Sequence, residues 1–149
     1  MSNNVIIWGS APPSHLKRLK VRVNNMLRVM LGVRWENGRP TTSTNDLYKQ
    51  LMLLKVENIF EYNLFKLLRQ LLDGHLVDFM ELLLERYRST HTYETRQIRF
   101  RHPDLTCEVE RRGLSHQLIV LYNRLAKDLF EMSFRKSLRM FKSLLLGSQ

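Results

Sequence analysis

The sequence predicts a mainly α fold: a single helical domain over residues 1–149, with five or six helices and one irregular loop at about 89–113. Three observations carry this expectation. Apolar residues recur three and four positions apart through most of the 149 residues. They make up 44% of the chain, enough at this length to bury a core. The glycines and prolines that end helices fall between the periodic stretches.

The first helix is marked by Leu16, Leu19, Val23, Met26, Leu27, Met30 and Leu31, which form one stripe at 3.6 residues per turn. Ser14 is placed to cap its start and Gly32 to end it in a left-handed turn. Its other face holds Lys17, Arg18, Lys20, Arg22 and Arg28. Asn37-Gly38 is a turn signal and Pro40 stops any helix. A second helix is expected from Thr44 or Asn45, either of which can cap it, carrying Leu47, Tyr48, Leu51 and Leu54. A third runs over about 56–73 and ends at Gly74; a fourth runs over about 76–87 and buries Phe79, Met80, Leu83 and Leu84. The stretch 89–113 is polar, broken by Pro103, and reads as a loop with room for one short strand. Helical spacing returns with Leu114, Leu118, Leu121, Tyr122, Leu125 and Leu129, and again after Ser133 with Phe134, Leu138, Phe141, Leu144 and Leu145.

Charge narrows the partners. The net charge is +10 at pH 7. Residues 1–44 carry seven basic and one acidic side chain, residues 45–98 seven and eight, and residues 99–149 ten and five. Two basic ends flank a neutral middle, a field suited to a polyanion, most simply RNA or DNA. The competing reading is a basic, solvated surface without a partner. No window approaches the ~20 apolar residues of a membrane helix, and the opening residues lack the basic n-region of a signal peptide. A soluble, intracellular chain is expected, with no membrane partner. The single cysteine, Cys107, excludes an internal disulfide and any zinc site built on two or more thiolates.

Catalytic patterns are missing from the sequence. Polymerases and nucleases converge two or more carboxylates on metal ions. The aspartates here, Asp46, Asp73, Asp78, Asp104 and Asp128, are never adjacent. The glycines are isolated, so there is no phosphate-cradling loop. The five histidines form no i, i+4 pair on a helix, and nothing orients Cys107 against His102 or His116. The expectation is a chain that is not an enzyme by itself and that needs no cofactor or metal.

A collinear set of short elements remains. It opens with Ile7-Trp8-Gly9, then Asn24-Asn25-Met26-Leu27-Arg28-Val29-Met30-Leu31-Gly32, then Leu53-Leu54-Lys55-Val56-Glu57-Asn58-Ile59. His91-Thr92-Tyr93-Glu94-Thr95-Arg96, Leu121-Tyr122-Asn123-Arg124-Leu125 and Ser133-Phe134-Arg135-Lys136-Ser137-Leu138 follow. In this order the chain resembles the carboxy-terminal region of reverse transcriptases from non-LTR (LINE-type) retrotransposons, over nearly its whole length. That family carries "QNK-x-LR-I-x-x-G", "L-x-IL-x-x-x-x-I", "H-x-Y-x-TR", "LWN-x-LP" and "SF-K-x-x-L" elements. Here Val23 stands in place of the usual Gln, Tyr122 in place of Trp, and Ala126 in place of Pro.

The resemblance implies a post-palm segment of an RNA-directed DNA polymerase polyprotein, without the palm and its paired aspartates. It implies RNA or DNA as partner, bound without sequence preference, and the upstream polymerase portion as a second partner. On that basis Lys17, Arg18, Lys20, Arg22 and Arg28 are candidate phosphate contacts, with a solvated helix face as the alternative. Arg96, Arg99 and Arg101 are candidates for an alternating cationic strand, with His91 and Tyr93 tying a loop to the helices as the alternative. Trp8 and Trp35 are expected to pack in the core or at its edge; stacking on unpaired bases is their other role. A helical protein-interaction module with exposed Leu and Met stripes, and a decayed element without function, are the rival readings.

Overall fold

The computed structural model describes residues 11–74 and 113–147. The predicted fourth helix, the loop at 89–112, Trp8 and the arginines Arg96, Arg99 and Arg101 lie outside the described residues. Within them the protein is mainly α, with α1 (Pro13–Met30), β1 (Trp35–Glu36), β2 (Arg39–Pro40), α2 (Thr44–Gln50), α3 (Val56–Leu72), α4 (Leu114–Arg124), α5 (Asp128–Glu131) and α6 (Phe134–Gly147).

The start of α1 is set by the proline pair and not by Ser14. A residue before proline is barred from the helical region, and Pro12 is extended at φ −53° and ψ 144°. Pro13 then takes the first helical position, where its missing N–H costs nothing. Ser14 falls inside the first turn, and no side chain caps the helix. The predicted stop is found. Gly32 is left-handed at φ 60°. The Val33 amide donates to the Arg28 carbonyl at 3.0 Å and the Gly32 amide to the Val29 carbonyl at 3.1 Å, the double bond of a Schellman turn.

Asn37-Gly38 closes a two-residue hairpin that pairs Trp35 with Pro40 and Glu36 with Arg39. Both turn residues have positive φ, 51° and 73°, as a type I′ turn requires. The sequence signal for the turn is strong; the strands flanking it are only two residues each and carry no periodic signal. Helix α2 is capped by Ser43, whose Oγ accepts from the Asp46 amide at 3.2 Å. The cap therefore sits one residue before Thr44 and two before Asn45, the two expected caps. The helix ends early, at Gln50, and two residues on Met52 is left-handed at φ 49° although it has a side chain. Leu54, expected on this helix, lies beyond that break and joins the main core. Helix α3 ends as expected before Gly74, left-handed at φ 72°. The predicted run from Leu114 to Leu129 is broken: Leu125 turns extended at ψ 149°, and Leu129 sits on the separate one-turn α5.

Helix α3 is the centre of the packing. Its buried residues Leu64, Phe65, Leu68 and Leu71 meet Leu118, Ile119 and Leu121 of α4, Leu129 of α5, and Phe141 and Leu145 of α6. The Phe65 ring is fully buried, 4.3 Å from the Phe141 ring and 6.0 Å from the Phe130 ring between centroids. A second, smaller cluster joins α1 to α2 through Leu27, Leu47 and Tyr48, with Val23, Val33 and Leu51 packed around it. The Tyr48 hydroxyl donates to Asn24 Oδ1 at 2.9 Å across this contact.

The predicted apolar stripe of α1 is only partly used. Leu27 is buried, but Met26 is 63%, Met30 70% and Leu31 37% exposed. Helix α1 meets α2 and α3 on the side of Leu27, where Leu16, Leu19 and Val23 are half-buried, and no described element covers Met26 and Met30. Periodicity marks which face is apolar; it does not supply the surface that covers it.

Three stability outcomes follow. Leu27→Ala should cost toward the low end of roughly 2–5 kcal/mol, because the small cluster can close over the space. Met52→Gly should stabilise by about 0.5–1 kcal/mol, since glycine removes the left-handed strain of an exposed Met. Arg69→Ala should cost about 3 kcal/mol, as the buried Arg69 guanidinium donates to the Phe130 and Met132 carbonyls and pairs with Asp73, and all three lose their cation. Urea denaturation of the four proteins measures all three.

Candidate nucleic-acid interface

The five candidate cations of α1 do not form one uniform face. At 100° per residue, Lys20 falls beside Leu27, at the edge of the helix that meets the body. Its ammonium is bound there: Lys20 Nζ donates to Glu57 Oε1 of α3 at 2.6 Å. Arg28 is also engaged. Its Nη1 donates to Asn25 Oδ1 at 3.0 Å and its Nη2 to Thr44 Oγ1 of α2 at 3.1 Å. Its guanidinium lies over the Trp35 ring, 5.9 Å from the centroid. These two of the five candidate cations tie α1 to its neighbours.

Lys17, Arg18 and Arg22 are different. All three are exposed, and none has an ion-pair or hydrogen-bond partner among the described residues. Arg18 and Arg22 stand one turn apart on the side away from Leu27, whereas Lys17 lies nearer Leu27, at the rim of the space between α1 and α3. Three exposed cations that form no ion pair among the described residues present positive charge at the surface.

The sequence did not single out the carboxylates that organise the other cations. Glu57 takes Lys20 from α1, and Glu61, one turn further along α3, takes Arg124 Nη2 from α4. The i, i+4 spacing of the two glutamates was the available signal, but only the fold shows which cations they meet. Burial raises the Glu57 pKa, yet the hydrogen bond and charge of Lys20, with Lys55 nearby, outweigh it and leave the carboxyl below its ordinary 4.5. Burial, with a smaller push from the Glu57 charge, raises the Tyr48 phenol above its ordinary 10.0.

Between α1 and α3 runs an open groove of about 620 Å³, lined by Leu16, Val21, Val56 and Phe60 and rimmed by Lys17 and Glu57. At the other end of α1, Trp35 is 60% exposed and belongs to no core cluster. It sits outside both core clusters, against the Arg28 guanidinium. Among the described residues no group of three or more His, Cys, Asp or Glu side chains could hold a metal ion. Nor is any described helix long and apolar enough to cross a membrane.

Because the folded-state pKa of Glu57 is lowered, the Lys20–Glu57 pair contributes stability above about pH 4.5 and loses it as pH falls through the lowered value. The pair is half-exposed, so the effect should stay under about 1 kcal/mol. Urea midpoints of the parent and Glu57→Gln between pH 6 and pH 3 should converge at the acid end. A gap that stays constant would show that the ion pair contributes nothing.

A scan against protein-family models, a search of curated proteins and a search of solved structures each found no match to this chain.

Proposed function

We propose that this chain is a post-palm segment of a non-LTR retrotransposon reverse transcriptase that binds RNA or DNA through the phosphate backbone, without reading sequence and without catalysing synthesis itself. The observation that carries the binding is the exposed pair Arg18 and Arg22 on the side of α1 away from Leu27, with Lys17 exposed at the neighbouring edge of the helix. The +10 net charge and the basic first third of the chain support it, since a cationic surface attracts a polyanion and releases its counterions. The collinear order of short elements from Trp8 to Leu138 supports the family reading. A cation without a fixed hydrogen-bond frame contacts phosphate but cannot specify a base, so binding is expected to be sequence-independent.

A second reading has one observation in its favour. Met26, Val29 and Met30 are 63%, 81% and 70% exposed on α1. An uncovered apolar run on a helix suits a protein partner, and in a polyprotein that partner would be the upstream polymerase portion.

The test is affinity for a short RNA–DNA duplex against salt concentration. Each phosphate contact contributes about −0.9 to the slope of log affinity on log salt. Lys17→Glu, Arg18→Glu and Arg22→Glu together should flatten the slope by about 2–3 units, equally for unrelated sequences, with helical circular dichroism unchanged. Lys20→Glu should instead loosen α1 from α3, and its loss should appear in the urea midpoint. A triple variant with the parent's affinity and slope would remove the proposal, and a parent without duplex affinity would favour the protein partner. Purified protein is expected to extend no primer with any template or divalent cation.

A further inference from the structure

We propose that Trp35 is a stacking platform for an unpaired base, so that the strand bound by Lys17, Arg18 and Arg22 is single-stranded where it leaves α1. This rests on the phosphate-binding reading above and names the form of nucleic acid it takes. The first observation is exposure. The Trp35 indole is 60% exposed on a hairpin strand held against the end of α1. An exposed indole leaves apolar ring surface in water that a flat apolar ligand would cover.

The second observation is that the ring is held. Arg28 lies over it at 5.9 Å from the centroid, and Arg28 is itself fixed by Asn25 and Thr44. Its Nε is buried and has no hydrogen-bond partner among the described residues. The hairpin is locked by Asn37-Gly38 and by the Thr41 amide donating to the Arg34 carbonyl at 3.0 Å. Ordering the ring on binding therefore costs little, which favours stacking.

The third observation is position. Asn25, Arg28, Val29, Gly32, Val33 and Trp35 line a depression of about 330 Å³, within the size range of sites that hold small ligands. Its lining includes a cation and no carboxylate. On a wheel of 100° per residue, Arg18, Arg22, Asn25 and Val29 fall within roughly 60° of one another. Arg18, Arg22 and the depression thus share one side of α1, about 16 Å from end to end. A backbone following Arg18 and Arg22 runs into the Trp35 ring. In a duplex each base face is covered by its neighbours, so only an unpaired base can use that ring.

The experiment uses the full chain with Trp8→Phe, which leaves Trp35 as the single indole of the two in the sequence. Oligo(U), oligo(dT) and an RNA–DNA duplex of equal length are titrated, with indole emission and affinity as readouts. Both single strands should quench Trp35, and the duplex should not. Trp35→Ala and Trp35→Leu should weaken single-strand binding roughly 10–100-fold at an unchanged salt slope, while Trp35→Phe keeps most of it. Duplex affinity should not change in any of the three. Trp35→Leu retains apolar packing, so its loss together with retention by Trp35→Phe separates stacking from folding. Comparing oligo(U) with oligo(dT) shows which sugar the site accepts. Single-strand binding that depends on salt but is the same in Trp35→Leu would overturn the platform and leave the phosphate reading standing. Absence of binding to every probe would overturn both.

Discussion

The guanidinium of Arg69 holds the larger part of the fold together. It is buried, 5% exposed, in the last turns of α3. Its Nη1 donates to the Phe130 carbonyl at 2.6 Å and its Nη2 to the Met132 carbonyl at 3.2 Å, with Asp73 at 3.1 Å as its counter-charge. Those carbonyls lie at the end of α5, a single turn that cannot satisfy them internally. One cation therefore caps α5, fixes the chain before α6 and sets where Phe130 and Phe141 meet Phe65. Its Nε is buried without a hydrogen-bond partner among the described residues. The cost of burying the charge is therefore offset by the two carbonyls and Asp73, and only the observed arrangement of α3, α5 and α6 supplies them.

Around that clamp the apolar surfaces sort into two unequal clusters. The main one surrounds α3 and draws on every described helix after it. The smaller one, Leu27, Leu47 and Tyr48, is all that buries α1 against α2. Polar ties supplement it: Lys20 to Glu57, Arg28 to Thr44 and Tyr48 to Asn24. A helix anchored on one side leaves the other side uncovered. On α1 that remainder holds Lys17, Arg18 and Arg22 together with Met26, Val29 and Met30. The same packing economy that makes α1 a minor contributor to the described core leaves it surface to offer a partner.

The cations of the chain divide by what stands opposite them, not by type. Lys20 and Arg124 meet Glu57 and Glu61, one turn apart on α3, and become ties between helices. Arg28 meets a tryptophan ring and a threonine hydroxyl. Lys17, Arg18 and Arg22 meet no acidic side chain among the described residues. Net charge brings a polyanion near; which side chains can then touch it is set by which are already engaged.

Local chemistry was enough for much of this. The 3.6-residue period located α1, α3 and α6, because amphipathic spacing is a property of neighbours in sequence. Gly32, Gly74 and Asn37-Gly38 marked left-handed turns, because only residues with little or no side-chain penalty take positive φ readily. Met52 shows the limit: tertiary packing held a residue with a side chain in the same conformation, and no local signal announced it. The phase of α1, the break at Leu125 and the one-turn α5 likewise depend on what lies opposite in space. So does the division of five α1 cations into two ties and three free charges. Spacing along a chain places a lysine on a helix face, but the carboxylate that claims it lies 37 residues away, and only the folded packing of α1 on α3 brings Lys20 and Glu57 together.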